Sequence, residues 1–211
     1  MGRRIPLLVA ILGLAAAACS SSSDGAVTYT DPAKLSQVSL PASWHLYNYD
    51  QLQQLPSLPF VETFQGQNYP AVSSVAFDGA PVADVDNVTG SVATAAYPVG
   101  SMSVRTVGDF ERDLLSRATL SQIVVPYYAY TDPNEHVKED FSFGDGWDGV
   151  KRLVSFVDDT NQLGVAYILS VTDSEEKRVF SVVVGCSRQC FVDNQAQIEE
   201  VIGSWLVNKR S

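Results

Sequence analysis

The chain has 211 residues, 14 basic and 24 acidic side chains, a net charge of −10 and 45% hydrophobic residues. That apolar share, with 9 Tyr, 9 Phe and 3 Trp, excludes wholesale disorder and suffices for one full core. The acidic balance repels phosphate backbones and so excludes nucleic acid as a partner, and two histidines leave little for zinc or general-base chemistry.

Arg3 and Arg4 precede an apolar run, Ile5 to Ala18, of about fourteen residues, short of the roughly twenty that a bilayer span needs. A charged start, a short apolar middle and small residues before a cut form the layout of a secretory signal. Cys19 follows at once, then Ser20 to Ser23. This junction resembles the lipobox of bacterial lipoproteins, with Ala16 where the usual leucine stands and Leu14 two residues earlier. The resemblance implies removal of residues 1–18, diacylglycerol on the Cys19 sulfur and an acyl chain such as palmitate on its amino group. The membrane partner is then reached through the lipid on Cys19, and the exported protein sits at the outer face of the cell membrane. The alternative is an ordinary signal peptide cut after Ala18. Loss of Arg3 and Arg4 makes the charge two units more negative, which works against a second grip on anionic lipid. Residues 19–34 read as a flexible tether, Ser-rich and then Asp24-Gly25-Ala26. Residues 35–207 show no repeat or second linker and read as one α+β domain.

Within that domain, Val38 to Tyr49 predicts an opening strand, with Pro41 at a strand start or edge. Leu52 to Pro59 reads as connection. Phe60–Phe64, Val72–Phe77 and Ser91–Tyr97 are candidate strands, broken at Gly79, Pro81, Gly90 and Pro98. From Thr106 to Ala118, Phe110, Leu114 and Leu115 at helical spacing predict a helix. Thr131 to Asn134 is a turn signal. An antiparallel meander follows: Val137–Phe143, Trp147–Asp158, Leu163–Thr172 and Arg178–Val184, each run closed by turn residues. Asn194 to Leu206 gathers Ile198, Val201, Ile202 and Trp205 on one helical face and predicts a closing helix across the sheet.

Chemistry-bearing patterns are sparse. No nucleophile elbow, phosphate loop, dinucleotide glycine pattern or zincin motif occurs, so the reading is non-enzymatic, with no catalytic residue, metal or cofactor assigned. His45 and His136 read as strand and turn residues. Asp84-Val-Asp86-Asn87 opens like a calcium loop but lacks the later ligands, and Asn87-Val88-Thr89 has only the form of a glycosylation acceptor. Outside the cytoplasm Cys186 and Cys190 predict a structural disulfide, because a redox motif has two intervening residues where this loop has three. The aromatic cluster offers the one candidate groove. Tyr128 and Tyr130 share a strand face, and with Phe143, Trp147 and Trp205 they could line a site for an apolar ligand between sheet and helix. The bland alternative for these residues is an ordinary sheet–helix core.

The order of parts then resembles a known family. Leu40-Pro41-Ala-Ser-Trp44, a helix, a four-strand meander and a closing helix ending Ile202-Gly-Ser204-Trp205 are similar to the PsbP-like fold. That α-β-α sandwich, a mainly antiparallel sheet flanked by helices, is shared by photosystem extrinsic proteins, a Ran-binding nuclear import factor and many small bacterial lipoproteins. The resemblance implies a non-enzymatic binding or assembly module with an envelope protein or lipid as partner, and it transfers no functional residues. A carrier or sensor of an apolar ligand is the alternative function.

Overall fold

A computed structural model of the protein describes residues 25–52, 63–64, 67–68, 71–125, 127 and 130–209. The expected signal, Cys19, Tyr128 and the side chain of Phe143 lie outside the described residues. In chain order the first elements are β1 (Ala26–Thr30), β2 (Ser36–Pro41), β3 (His45–Tyr47), α1 (Tyr49–Leu52), β4 (Thr63–Phe64), β5 (Gln67–Asn68) and β6 (Ala71–Asp78). Then come β7 (Val99–Thr106), α2 (Asp109–Arg112), α3 (Arg117–Val124), β8 (Thr131–Gly144) and β9 (Trp147–Val157). The chain closes with β10 (Leu163–Thr172), β11 (Arg178–Ser187), α4 (Arg188–Ser204) and β12 (Leu206–Val207).

Seven strands form one antiparallel sheet in the order β3-β6-β7-β11-β10-β9-β8, and β1-β2-β12 form a second, smaller sheet. The predicted meander is its larger half. Turn chemistry sets each hairpin. Asp145, flanked by Gly144 and Gly146, and Asn161 and Glu176 in the next two turns all take positive φ, which short turns between twisted strands demand. Central β11 is buried from Val179 to Cys186. A strand covered on both faces reads as a continuous apolar run rather than an alternation.

Successive side chains point to opposite faces, and apolar cores form on both, with a smaller cluster of Val107, Leu120, Val150 and Val179 beside them. Phe180, Val182 and Val184 meet Val38, Leu40, Val75, Met102, Ile198, Val201, Ile202 and Trp205 on one face. On the other, Val183, Ala166, Ile168, Val154 and Phe156 meet Tyr47, Val88, Val92, Val124 and Tyr127. Helix α4 packs on β10, β11 and β2, and the shorter α3 packs on β9 and β10 from the other side. The architecture is therefore mostly β with a few helices. Cys186 and Cys190 are disulfide-bonded across the β11–α4 junction, Cα atoms 5.9 Å apart. Among the described residues no helix is long and apolar enough to cross a membrane.

Several expectations need correction. Part of the stretch read as tether is strand β1, whose Val27-Thr-Tyr29-Thr alternation pairs in register with β2. The opening strand is split into β2 and β3, which join different sheets. Ser91–Tyr97 is no strand: Val92–Thr94 is a short 3-10 turn capped by Ser91, and the strand follows as β7. The helix expected over 106–118 is divided, because Thr106 still belongs to β7 and the longer helix begins at Arg117. The turn signal at Thr131–Asn134 opens β8 instead, its irregular register absorbing Asp132 at φ 47°. The closing helix starts six residues early, directly after β11, and ends before Trp205. Of Phe60–Phe64, only Thr63 and Phe64 are described, in a two-residue strand paired with β5.

Candidate binding surface

Among the described residues, Tyr130, Trp147 and Trp205 of the candidate groove do not come together. Tyr130 stacks on Phe156, ring centroids 4.6 Å apart, against the core that contains Tyr127. Trp147 and Trp205 belong to the core on the opposite face of the sheet. The Trp205 indole N–H donates to Ser36 Oγ at 2.9 Å, and Ser36 in turn contacts the Met102 sulfur, so this ring is a core member with its polar edge satisfied. Trp147 sits at one end of the sheet, tilted on Phe180 at 5.5 Å. Sequence alternation within one strand cannot report which face a distant strand or helix presents.

Trp147 does line a cleft of about 650 Å³ with Asp145, Asp173, Glu175, Lys177, Arg178 and Lys209. Asp173, Glu175, Lys177 and Arg178 are engaged within the β10–β11 turn. Asp173 accepts the Lys177 and Arg178 backbone N–H groups and the Arg178 Nε–H at 2.8 Å, while Lys177 pairs with Glu175. The Arg178 guanidinium lies 5.7 Å from the Phe180 ring centroid. These contacts fix a turn and leave the cleft polar.

Buried charges elsewhere are structural. Arg105 donates to both Glu111 oxygens at 3.0 and 2.9 Å, the two side chains 1% and 0% exposed. This pair fastens α2 to β7. Arg152 donates to Asp140 Oδ1 at 2.6 Å and to the Glu139 and Lys151 carbonyls. It thereby ties β8 to β9. Tyr127 donates to Glu135 Oε1 at 2.6 Å and meets Ser121 Oγ at 3.1 Å. Asp158 accepts from the Ser91 hydroxyl at 2.6 Å and from Thr160 and Gln162, and the Ser91 hydrogen bond above all holds its carboxyl at about 2. Asp84 caps a 3-10 turn by accepting the Asp86 N–H at 3.0 Å. Both of these calcium-like or turn acids are thus engaged with backbone. Among the described residues no three His, Cys, Asp or Glu side chains converge to hold a metal.

One contact has the look of catalysis: His136 Nε2 lies 2.8 Å from Ser155 Oγ. Ser155 stands mid-strand, paired with Asn134 on one side and Val165 on the other. Its neighbouring amides therefore serve the ladder, where acyl transfer needs them as oxyanion donors. Among the described residues no carboxylate bonds the other imidazole nitrogen, so the orienting third member of a triad is missing too. His45 is half-buried on edge strand β3 opposite Asp78.

The remaining feature of note among the described residues is a half-buried stretch of the sheet that sequence reasoning missed. On the α4 side of the sheet, Val137 pairs with Leu153, Glu139 with Lys151, and Phe141 lies over Gly149. Val137, Phe141, Lys151, Leu153 and neighbouring Leu169 are half-buried, in contrast to the sealed positions under α4. At its border the Tyr167 hydroxyl donates to Glu199 Oε1 at 3.1 Å, and the Lys151 ammonium lies 5.5 Å from the Tyr167 ring centroid. Burial first, then bonded Glu199 and the charge of Glu139, push the Tyr167 phenol up to about 12. The half-apolar pattern of Val137, Phe141 and Leu153 was legible as strand periodicity. Its place outside the principal contacts of α4 was not.

No protein-family model matches the sequence, and no curated protein does. Solved structures do match in fold. The solution structure of cyanobacterial PsbP (CyanoP) from Synechocystis sp. PCC 6803 aligns with a TM-score of 0.50 at 11% identity, over 93% of this chain and 100% of that one. The Ran-binding protein Mog1p of Saccharomyces cerevisiae aligns with a TM-score of 0.48 at 8% identity, over 87% of this chain and 95% of that one. At such identities the likeness is one of fold alone, and the fold is PsbP-like.

Proposed function

We propose that the protein is a lipid-anchored component of the cell envelope whose domain binds another protein or an envelope component without catalysing a reaction. The observation that supports this best is the half-buried apolar stretch of Val137, Phe141 and Leu153, on strands outside the principal contacts of α4. The sequence of Arg3 to Cys19 supports export and lipidation. Strand β1 begins at Ala26, so the tether from Cys19 to Gly25 has a reach of at most about 25 Å. A domain so held stays at the lipid surface with the Gly25 and Ala42 end toward the membrane. The apolar-ligand carrier is less favoured, since Ile198, Val201, Ile202 and Trp205, all 7% exposed or less, fill the space between α4 and the sheet.

The test has two arms. Mass spectrometry of the full-length protein from its own membranes should find acyl groups on Cys19, and Cys19→Ala should release the protein from the membrane fraction. Chemical cross-linking in intact envelopes should then join the anchored protein to a reproducible partner. An unmodified Cys19 with identical fractionation of the two forms would overturn the anchoring. A small molecule retained through desalting in native mass spectrometry, with no cross-linked partner, would replace the binding-module reading by the carrier.

A further inference from the structure

A strand at the edge of a sheet presents a row of unpaired N–H and C=O groups, a template for another strand unless it is blunted. Strand β8 is blunted by Pro133, Lys138, Glu139 and Asp140 and by three register irregularities. Strands β3 and β12 are only three and two residues long. Strand β1 lacks these defences. Its five residues, Ala26-Val-Thr-Tyr-Thr30, include no charge and no proline and pair residue for residue with β2. Among the described residues β1 pairs with β2 alone. Ala26, Val27, Thr28 and Thr30 are exposed. Val27 is 57% exposed although it stands beside buried Leu40, on the face that packs on the main core.

The phase of the β1–β2 ladder fixes which backbone groups face outward. The Asp31 N–H donates to the Ser36 carbonyl at 2.9 Å. Backbone direction alternates along an antiparallel strand, so Tyr29 and Val27 also turn their N–H and C=O groups to β2. Those of Ala26, Thr28 and Thr30 point away from it. An antiparallel copy of the same strand, centred on Thr28, matches all three. Thr28 meets Thr28 of the second copy, Ala26 meets its Thr30 and Thr30 its Ala26, each pair exchanging both N–H···O bonds. No other centre matches all three. The same register sets Val27 against Tyr29 of the second copy at the closely spaced positions, a β-branched side chain beside an aromatic one. That contact covers the exposed Val27.

Charge favours the same edge. Each chain carries a net −10, which opposes self-association over most of its surface. At β1 that obstacle is absent: the next acid along the chain, Asp31, is 2% exposed, its carboxylate accepting the Ala33 and Ser36 N–H groups. Five residues a side are far fewer than the roughly 20–30 of a stable interface, so the pairing needs its copies held close. Tethers rooted in one membrane supply that. The two Ala26 residues of the pair stand about 14 Å apart along the ladder, within a tether's reach of about 25 Å.

Resting on the lipid-anchored reading, we propose that β1 pairs with the β1 of a second copy about a two-fold axis at Thr28. The two small sheets join into one across a homodimer confined to the membrane.

The test is oxidative cross-linking of the full-length protein in the membranes of the producing cells, with copper phenanthroline as oxidant. Thr28→Cys should be recovered mainly as a disulfide-linked homodimer, because paired strands hold this position about 5.5 Å apart between Cα atoms, a span that a disulfide fits. Val192→Cys, on an α4 residue that is 63% exposed, should stay monomeric. Adding Val27→Lys to Thr28→Cys sets a charge into the edge and should lower the dimer yield roughly ten-fold, with far-UV circular dichroism unchanged. Equal yields from Thr28→Cys and Val192→Cys, a yield indifferent to Val27→Lys, or a disulfide to a different protein would each overturn the proposal. An unlipidated Cys19 would strike the anchored reading by itself. The purified Thr28→Cys protein at about 1 mM, the effective concentration of a short tether, then decides the pairing: a dimer there supports it and a monomer refutes it.

Discussion

Glu111→Gln is the sharpest test of how the domain is held together. The substitution keeps volume and an acceptor oxygen for the Gly108 N–H, bonded at 3.0 Å in the native protein. It removes the Glu111 charge that faces Arg105 at 2.9–3.0 Å, in a site where the two side chains are 1% and 0% exposed. Breaking a buried pair by neutralising one partner costs about 3–5 kcal/mol, because the surviving charge is left in a poorly solvating interior. For a protein of this size 1 kcal/mol moves Tm by about 2–4 °C, so a fall of about 10 °C is expected. Urea unfolding followed by tryptophan fluorescence should show the lower midpoint with an unchanged slope, since the buried area is the same. Replacing both partners by Arg105→Met/Glu111→Leu should recover most of the loss, because no uncompensated charge remains. A loss under about 1 kcal/mol, the range of exposed pairs, would refute the view that this pair is sealed from water.

Cys190→Ser should lower stability by about 2 kcal/mol, the loop-entropy value for so short a bridge, with far-UV circular dichroism retained; reductant on wild type should give the same shift in urea midpoint. Asp158 has a folded-state value near 2 against an ordinary 3.8, so its stabilisation is complete above about pH 4 and is lost as pH falls toward 2. Asp158→Asn should therefore flatten part of the acid limb of the urea midpoint, and an unchanged limb would count against the Ser91 contact. Gly100→Ala drives a methyl group onto the Val183 carbonyl and the Phe77 ring, and overpacking there should cost about 3 kcal/mol; wild-type stability would show that β7 can shift. In an ultraviolet pH titration the Tyr167 phenol should ionise only near 12, and Glu199→Gln should bring it down. A Tyr167 that titrates with the exposed tyrosines would refute its burial and its bond to Glu199.

Local chemistry in the sequence determined a good deal. Turn residues at 144–146, 158–161 and 173–176 and the β-branched runs between them specified the meander, since these signals act over a few residues and tertiary packing agrees with them. The two late cysteines stand four positions apart and are joined at the β11–α4 junction. Ile198, Val201 and Ile202 marked the buried stripe of α4, though not its start: Arg188 to Asp193 extend the helix because Cys190 and Phe191 are buried against the sheet. Strand β7 was hidden by Gly100, Ser101 and Ser103, poor strand formers on their own. There Gly100 admits the Phe77 ring, Ser103 bonds Ser181 across the ladder, and Arg105 finds Glu111. Largely exposed β1 is likewise held mainly by pairing with β2.

The candidate site depended on the same distinction. Tyr130, Trp147 and Trp205 are aromatic at plausible strand and helix positions, and the sequence established that each would be wholly or partly buried. Period-two alternation fixes a side chain's face only relative to its own strand. Whether two strands present those faces to the same core depends on register and strand order across a seven-stranded sheet, and these put Tyr130 on one side and both tryptophans on the other. The reach of α4 follows from the same long-range order: because it follows β11 directly, it packs on β11, β10 and β2, with β9 and β8 further along the sheet.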